Sequence, residues 1–464
     1  MLSFFDHHGR SGRREFLRAG SIAMGGLGLA DMLAFKAWAG ASGSEFVKDK
    51  AVVFLFMHGG PSQYETFDPK LGSAPAGIHS VTDEIDTAIP GITFGSTFPK
   101  LAKLADRFTI VRSYRPGDAN HDIKPIVSAN TTKTSLGAVY SRVAGATHPR
   151  TGVPRSCSLY PNAVDESCRT TTMNFGNFSE PGAVGTAYAP FVPGGGGTLQ
   201  ENMRLNMART RLDDRRALLA QLDVIRRSID AGGSMAGLDK IQQQAFDTIV
   251  GGVADAFDLS KEDPRVIEKY DTARLMTPDQ ISRKWNNYNN YVDHGKSLGK
   301  LMLLARRLCE AGCGFVTVTT NFVWDNHADS NNAGVEEGMQ YCGVPFDHAV
   351  ATFLEDLDAR GLNDKIMLVC CGEMGRTPRV NARGGRDHWG NLGPLLLAGA
   401  GVGRGKVVGQ STRDGGDPLT EPVTPKHLIG TIMHTLFEPG LVRLQRNLPI
   451  DAVKAVTDFA PIPL

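Results

Sequence analysis

Seven residues that could bind a metal or move a proton fall in short loops rich in glycine, aspartate and asparagine: His58, His121, Asp325, His327, Glu373, Asp387 and His388. Carboxylates and imidazoles suit hard-to-borderline divalent ions. A catalytic centre takes about three to five such groups and keeps one position open. Asp325-Asn326-His327 sets two of them on one loop, where alternate residues can converge on one ion. Arg376 and Arg386 have the planar fork that grips an anionic ester group through paired hydrogen bonds. Trp324 and Trp389 lie beside these groups, where they can wall off a pocket of low dielectric and stack on a substrate. Gly59 and Gly60 let the backbone approach closely and present amide donors. These groups are therefore candidates for a site of one or two divalent ions beside a clamp for an anionic group. Zinc is the first choice, with calcium, manganese or magnesium as alternatives.

Other groups of the same types read as structural. His79, His148, His294, His427 and His434 are lone histidines of the kind that folds bury with a hydrogen-bond partner. Asp356 and Asp358 are expected on a solvated helix face, Glu336-Glu337 on a solvated loop, and Thr377 as a cap ahead of Pro378.

The elements that must position the chemistry are short apolar runs ending at those loops. Ala51 to Phe56 leads to His58, and Phe108 to Val111 leads to Ser113, Asn120 and His121. Phe315 to Thr319 precedes Asp325 and His327, Ile366 to Cys371 precedes Glu373, and Pro394 to Ala398 follows His388. Helical periodicity covers Leu298 to Cys309, Phe346 to Leu357 and Lys426 to Leu436. Buried strands alternating with amphipathic helices imply an α/β fold with a mostly parallel central sheet covered on both faces. In such sheets ligands bind where the carboxyl ends of the strands meet the loops. Residues from about 203 to 291 are charged, helix-periodic and free of strand patterns, so they read as a helical insertion, set off by Pro193 and four glycines.

The N-terminal 41 residues read differently. Arg13 and Arg14, with Arg10 and Arg18 nearby, precede a modest apolar stretch from Ala19 to Phe35. Ala37-Trp38-Ala39 then offers a small-x-small cleavage site. This is the pattern of a twin-arginine signal peptide, which predicts the twin-arginine translocase as a partner and a periplasmic or extracellular destination. Asp31 and the glycines make the stretch too weak for a permanent membrane span. The net charge of +1 gives no electrostatic case for nucleic acid. The seven cysteines contain no Cys-x-x-Cys. If a disulfide forms, Cys157 with Cys168 is the expected pair, and the odd total leaves a free thiol.

Taken in order, several segments resemble the domain-of-unknown-function family 1501. They are His58-Gly-Gly-Pro-Ser-Gln63, Thr66-Phe-Asp-Pro-Lys70, Trp324-Asp-Asn-His327, Phe353-Leu-Glu-Asp-Leu357, Gly372-Glu-Met-Gly-Arg-Thr-Pro378 and Gly385-Arg-Asp-His-Trp389. The resemblance runs from about Lys48 to Leu436. That family is similar to the alkaline phosphatase and sulfatase superfamily, which implies an alkaline-phosphatase-like α/β/α sandwich over 48–464. It also implies that Asp325, His327, Glu373 and His388 stand at divalent-metal ligand positions. His58 stands where relatives carry an aspartate, a change suited to zinc more than to calcium. Glu65 stands where the first motif leads one to expect aspartate. No Cys-x-Pro-x-Arg is present to make a formylglycine nucleophile, and no phosphatase-type Ser or Thr stands out.

The likeness to the superfamily implies a metal-dependent hydrolase acting on a phosphate or sulfate ester or a related anionic substrate, and the twin-arginine pattern implies that it is exported. In that reading Arg376 holds the anion, and His121 serves as general acid or nucleophile. The competing reading is a non-catalytic secreted binding protein on a degenerate version of the fold.

Overall fold

The computed structural model describes residues 46–72, 74–169, 173–194 and 253–464, together with 5–6 and 9–10. Met1–Lys48 and Asp49–Leu464 are two separate compact units. In the first, Phe5–Asp6 pairs antiparallel with Gly9–Arg10. The arginine pair and apolar run of the signal reading lie outside the described residues, as does 195–252, which holds much of the expected insertion. Among the described residues no helix is long and apolar enough to cross a membrane.

The second unit is a mixed α/β fold around a seven-stranded, mostly parallel sheet. Its strands are β1 (Ala51–Phe56), β2 (Thr109–Val111), β3 (Ser156–Leu159), β4 (Phe315–Thr319), β5 (Ile366–Cys371), β6 (Leu395–Ala398) and β7 (Lys406–Val408), in the order β7-β2-β6-β5-β1-β4-β3. The helices that matter most are α1 (Leu136–Ala144), α2 (Tyr288–Ala311), α3 (Val335–Ala359), α4 (Pro425–Leu436) and α5 (Ile450–Thr457).

β1 is buried at every position, as expected for a central parallel strand with both faces covered. Ala51, Val53 and Leu55 pack into a core shared with α2 and α3. Val52, Phe54 and Phe56 face the other way, where α1, α4 and α5 pack on one another and on β1, β3 and β4. Phe56 lies level with Thr319 of β4 and Cys371 of β5. The three strands therefore release their loops along one edge.

β6 departs from the parallel expectation. It runs antiparallel to both β5 and β2, with Leu395 level with Cys371 and Val111. Its beginning therefore sits at the edge where its neighbours end, and the segment holding His388 arrives at the same place as the others.

Other expectations change for identifiable reasons. α2 and α3 are 24 and 25 residues long, far beyond their apolar stretches. The early turns of α2 bury Asp293, His294 and Ser297, which hides the periodicity. Pro345 lies inside α3 and does not begin a helix. Glu336 and Glu337 accordingly sit in the first turn of α3, not on a loop. Asp356 is no solvated carboxylate, since it accepts from Arg306, Arg360 and Tyr270. All seven cysteines are free and buried, so the Cys157–Cys168 pairing is absent.

Candidate metal centre

Ligand atoms of His121, Asp325, His327 and His388 all lie within 4.8 Å of one another. They reach the same sheet edge by three routes. Asp325 and His327 follow β4, His121 lies on the loop after β2, and His388 belongs to a two-residue ladder in which it pairs with Arg376. Asp325 is the hub. Its Oδ1 is 3.1 Å from His327 Nε2 and 3.5 Å from both His121 Nε2 and His388 Nε2. Asn332 Nδ2 donates to its other oxygen at 2.9 Å. Burial alone would push the Asp325 carboxyl up. The three imidazoles and the Arg376 guanidinium outweigh it and hold the group far below the usual carboxylate range.

Two of the imidazoles are backed by carboxylates. His121 Nδ1 is 3.0 Å from Glu373 Oε1, and His327 Nδ1 is 3.3 Å from Asp387 Oδ1. Glu373 and Asp387 can each accept a proton held at Nδ1, while Nε2 of both rings faces Asp325 Oδ1; a bound ion would take the place of the Nε2 proton and leave the Nδ1 proton directed at its carboxylate. Burial disfavours charge on His121, but Asp325 and Glu373 overcome it and raise its pKa. Phe322 and Phe175 stack together and cover the His121 ring. The chain on either side of His121 is fastened by Lys124, whose ammonium meets Asp118 at 2.9 Å and Asp122 at 3.1 Å.

Glu373 thus stands behind His121, outside the converging set, and it also accepts from Gly59 N at 3.0 Å. The Gly59 amide is therefore occupied within the protein and is not offered to a substrate. Gly59 has φ +117°, and a Cβ there would come within 2.5 Å of Asp325 N; only glycine allows the two loops to meet. Asp387 likewise supports His327 and is largely exposed.

His58 does not join the cluster. It is 1% exposed, neither ring nitrogen has a hydrogen-bond partner, and Phe56, Phe175, Phe178 and Phe322 surround it. Burial pushes its pKa down, against the pull of Glu373, so it is a neutral imidazole in an aromatic box.

Arg376 cannot hold a substrate anion as expected. It is 1% exposed, and its donors go to Gly60 O, Gly59 O, Arg386 O and Asp325 Oδ1. It fixes the Asp325 carboxylate and the first loop. Arg386 is equally committed to Glu65, His79 O, Thr377 O and Pro378 O, which makes Glu65 a structural anchor. Trp324 packs edge-on against Phe346 in the core, and Trp389 donates to Gly416 O. Ser113 is fully buried, with its side chain packed against Gly409.

The donor set fits a divalent ion. Three nitrogens and one oxygen are a borderline set suited to zinc. A carboxylate oxygen has two lone-pair sites, so Asp325 Oδ1 can serve Arg376 and an ion together. His388 Nε2 is buried without a hydrogen-bond partner, as a ligand atom lacking its ion would be. Asn332 and Asn381, which donates to His327 O and Asp387, support the centre but carry no distinguishing sequence signal.

Fold and centre together define a mixed α/β protein with a four-residue candidate metal centre at the carboxyl edge of its sheet. The chain belongs to the DUF1501 family, whose members are described as proteins of unknown function, and the match covers residues 49–438. No curated protein matches the sequence. Among solved structures it is similar to Ps i-CgsB in complex with k-i-k-neocarrahexaose, at 10% identity and TM-score 0.35 over 84% of this chain and 72% of that one. It is also similar to the PsFucS1 sulfatase from Pseudoalteromonas sp., at 10% identity and TM-score 0.32 over 88% and 73%. A third is the phosphonate monoester hydrolase SpPMH from Silicibacter pomeroyi, at 11% identity and TM-score 0.29 over 84% and 74%.

Proposed function

We propose that the protein is an exported metal-dependent hydrolase of a phosphate or sulfate ester. One observation carries the reading: three imidazoles and a carboxylate converge within 4.8 Å, and two of the imidazoles are oriented by carboxylates of their own. Buried structural histidines do not require such an arrangement, whereas a bound cation does. Zinc is the ion the donor set favours. A bound divalent ion would polarise the ester oxygen and lower the pKa of an attacking water.

The chain's own residues prepare that chemistry. Asp325 stays anionic at ordinary pH, and Arg376 holds its orientation. Glu373 keeps the His121 proton at Nδ1, Asp387 does the same for His327, and Phe175 with Phe322 excludes water from one flank. With an ion bound, His121 would serve as a ligand through Nε2 while Glu373 holds its Nδ1 proton.

The test is to purify the mature protein, quantify bound metal, and assay aryl phosphates and aryl sulfates before and after chelation. Asp325→Asn and His327→Ala should each lose both metal and turnover. No bound metal and no turnover with added Zn²⁺, Mn²⁺, Ca²⁺ or Mg²⁺ would sink the reading and favour a non-catalytic binding protein.

A further inference from the structure

The flanks of the candidate centre differ in character. Asp325 at its base is buried, while His121, His327 and His388 around it are partly exposed, so the centre opens to solvent between the imidazoles. Asp387, behind His327, is largely exposed and gives that flank a negative charge. On the His121 flank the Lys124 ammonium is taken up by Asp118 and Asp122. The groups laid against the His121 ring there are apolar.

Residues 173–178 press onto the His121 loop. Gly176 has φ +138° and lies so close to Ile123 that a Cβ would come within 2.7 Å of its Cδ1. This fit brings the Phe175 ring centroid to 5.2 Å from that of His121. Phe175 stacks on Phe322, with centroids 4.7 Å apart and planes 20° from parallel. Phe322 is 8% exposed, whereas Phe175 is half-buried, so Phe175 is the outward member of the pair. Phe322 already covers His121 edge-on at 4.6 Å, which leaves the outer ring able to meet a ligand. Met173, two residues earlier, is 51% exposed and adds a second apolar side chain to the same segment.

We propose that Phe175 receives the alcohol portion of the ester and makes the protein select esters of apolar, ring-bearing alcohols. The inference rests on the hydrolase reading and adds to it the class of leaving group. In hydrolysis water adds to the phosphorus or sulfur, the bond to the alcohol oxygen breaks, and the alcohol leaves with one of the water's protons. A ring on that alcohol, leaving toward solvent along the His121 flank, meets Phe175 in the offset or edge-to-face contact that aromatic pairs favour. A polyanionic chain would find here only a cation already paired and, across the centre, the Asp387 carboxylate. Arg383, an exposed cation on the loop before Asp387, lines a separate cavity with Trp285 and Glu336, to which no residue of the centre contributes.

The experiment uses the full mature protein and two kinds of probe. Calorimetric titration of the zinc-loaded protein compares phenylphosphonate with methylphosphonate and benzenesulfonate with methanesulfonate. The phenyl member of at least one pair should bind about tenfold tighter. Phe175→Ala should reduce that ratio to below about twofold, and Phe175→Trp should keep it. A change in metal affinity acts on both members of a pair and cancels in the ratio. Phe175→Leu still covers His121 but lacks a ring; it should lose more than half of the preference, and it serves as the second variant should Phe175→Ala fail to fold. The second probe, 1-naphthol, is followed by fluorescence anisotropy with chelator-treated protein, where Phe175→Ala should weaken binding at least about fivefold. A ratio near one in the wild type, or a ratio unchanged in Phe175→Ala and Phe175→Leu, overturns the proposal; if aryl esters are still turned over, it falls alone. If no phosphonate or sulfonate binds and no ester is turned over, the hydrolase reading fails and 1-naphthol decides. Binding that depends on Phe175 then leaves the apolar site standing, and binding that is absent or indifferent to Phe175 removes it as well.

Discussion

Replacing Glu373 by Gln should weaken metal binding about tenfold while the fold survives. Glu373 Oε1 accepts from His121 Nδ1 at 3.0 Å, and the carboxylate accepts from Gly59 N at 3.0 and 3.3 Å. Gln keeps the shape and one oxygen for His121, so the hydrogen bond changes from charge-assisted to neutral. Charge-assisted bonds contribute roughly 1.5–3 kcal/mol and neutral ones about 0.5–1.5. The loss is therefore about 1–1.5 kcal/mol, or roughly five- to thirteenfold in affinity. Glu373→Ala goes further. It frees the His121 ring to protonate Nε2 and leaves the Gly59 N–H unpaired, so it should cost about a hundredfold in affinity and about 1–3 kcal/mol in stability. The assay is calorimetric titration of Zn²⁺ into chelator-treated protein, with melting curves alongside. Asp387→Asn provides a graded comparison, because that carboxylate is 59% exposed and its hydrogen bond is longer; its effect should be smaller than that of Glu373→Gln. Affinity within twofold of wild type for both Glu373 variants, with the fold intact, would refute the claim that this carboxylate prepares His121 for an ion.

Three further outcomes follow from other parts of the molecule. Arg306 is 1% exposed and contacts Glu262 at 2.7 Å, Glu310 at 2.5 Å and Asp356 at 2.9 Å; Arg306→Ala should cost about 3–5 kcal/mol by urea unfolding, and a cost below about 1 kcal/mol would show that Arg307 and Arg360 satisfy the carboxylates unaided. His294 is fully buried with its pKa lowered to about 4; its contribution is complete above the unfolded value near 6.5 and is lost as pH falls through 4, about 3 kcal/mol in all, so His294→Gln should flatten the fall in unfolding free energy between those limits. Fusing residues 1–48 to a folded fluorescent reporter should export it, and Arg13→Lys with Arg14→Lys should leave it in the cytoplasm; export unaffected by the double change rejects the twin-arginine reading.

The central strands were the most legible part of the chain. β1, β4 and β5 stand where continuous apolar runs place them, because a strand buried on both faces leaves no polar residue to blur its ends. β3 was missed since Ser156, Cys157 and Ser158 look like a loop, although all four of its residues are buried. β7 is short and partly exposed at the sheet's border, so it carries little apolar signal. At the centre, residue types could be read but their arrangement could not. Glu373 and His121 are 252 positions apart, and nothing local says that one stands behind the other. The Arg376 guanidinium looked like an anion clamp because its partners, mostly backbone carbonyls, carry no sequence mark. His58 had the right type and strand-end position, yet the phenylalanines around it come from distant segments and seal it off.

The reversed strand β6 also sets the order in which the centre can come into being. His388 is delivered only after β6 has inserted between β2 and β5, joining segments nearly three hundred residues apart in the chain. Contacts that distant are the last to be favoured, since they close the largest loops. A cation binding all four groups would therefore favour the completed sheet over any partly folded form. At a concentration a hundred times its dissociation constant it would add about 2.7 kcal/mol to the native state. A chain truncated ahead of His388 should neither bind the ion with full affinity nor gain stability from it, so occupancy of the centre would report that the sheet has closed.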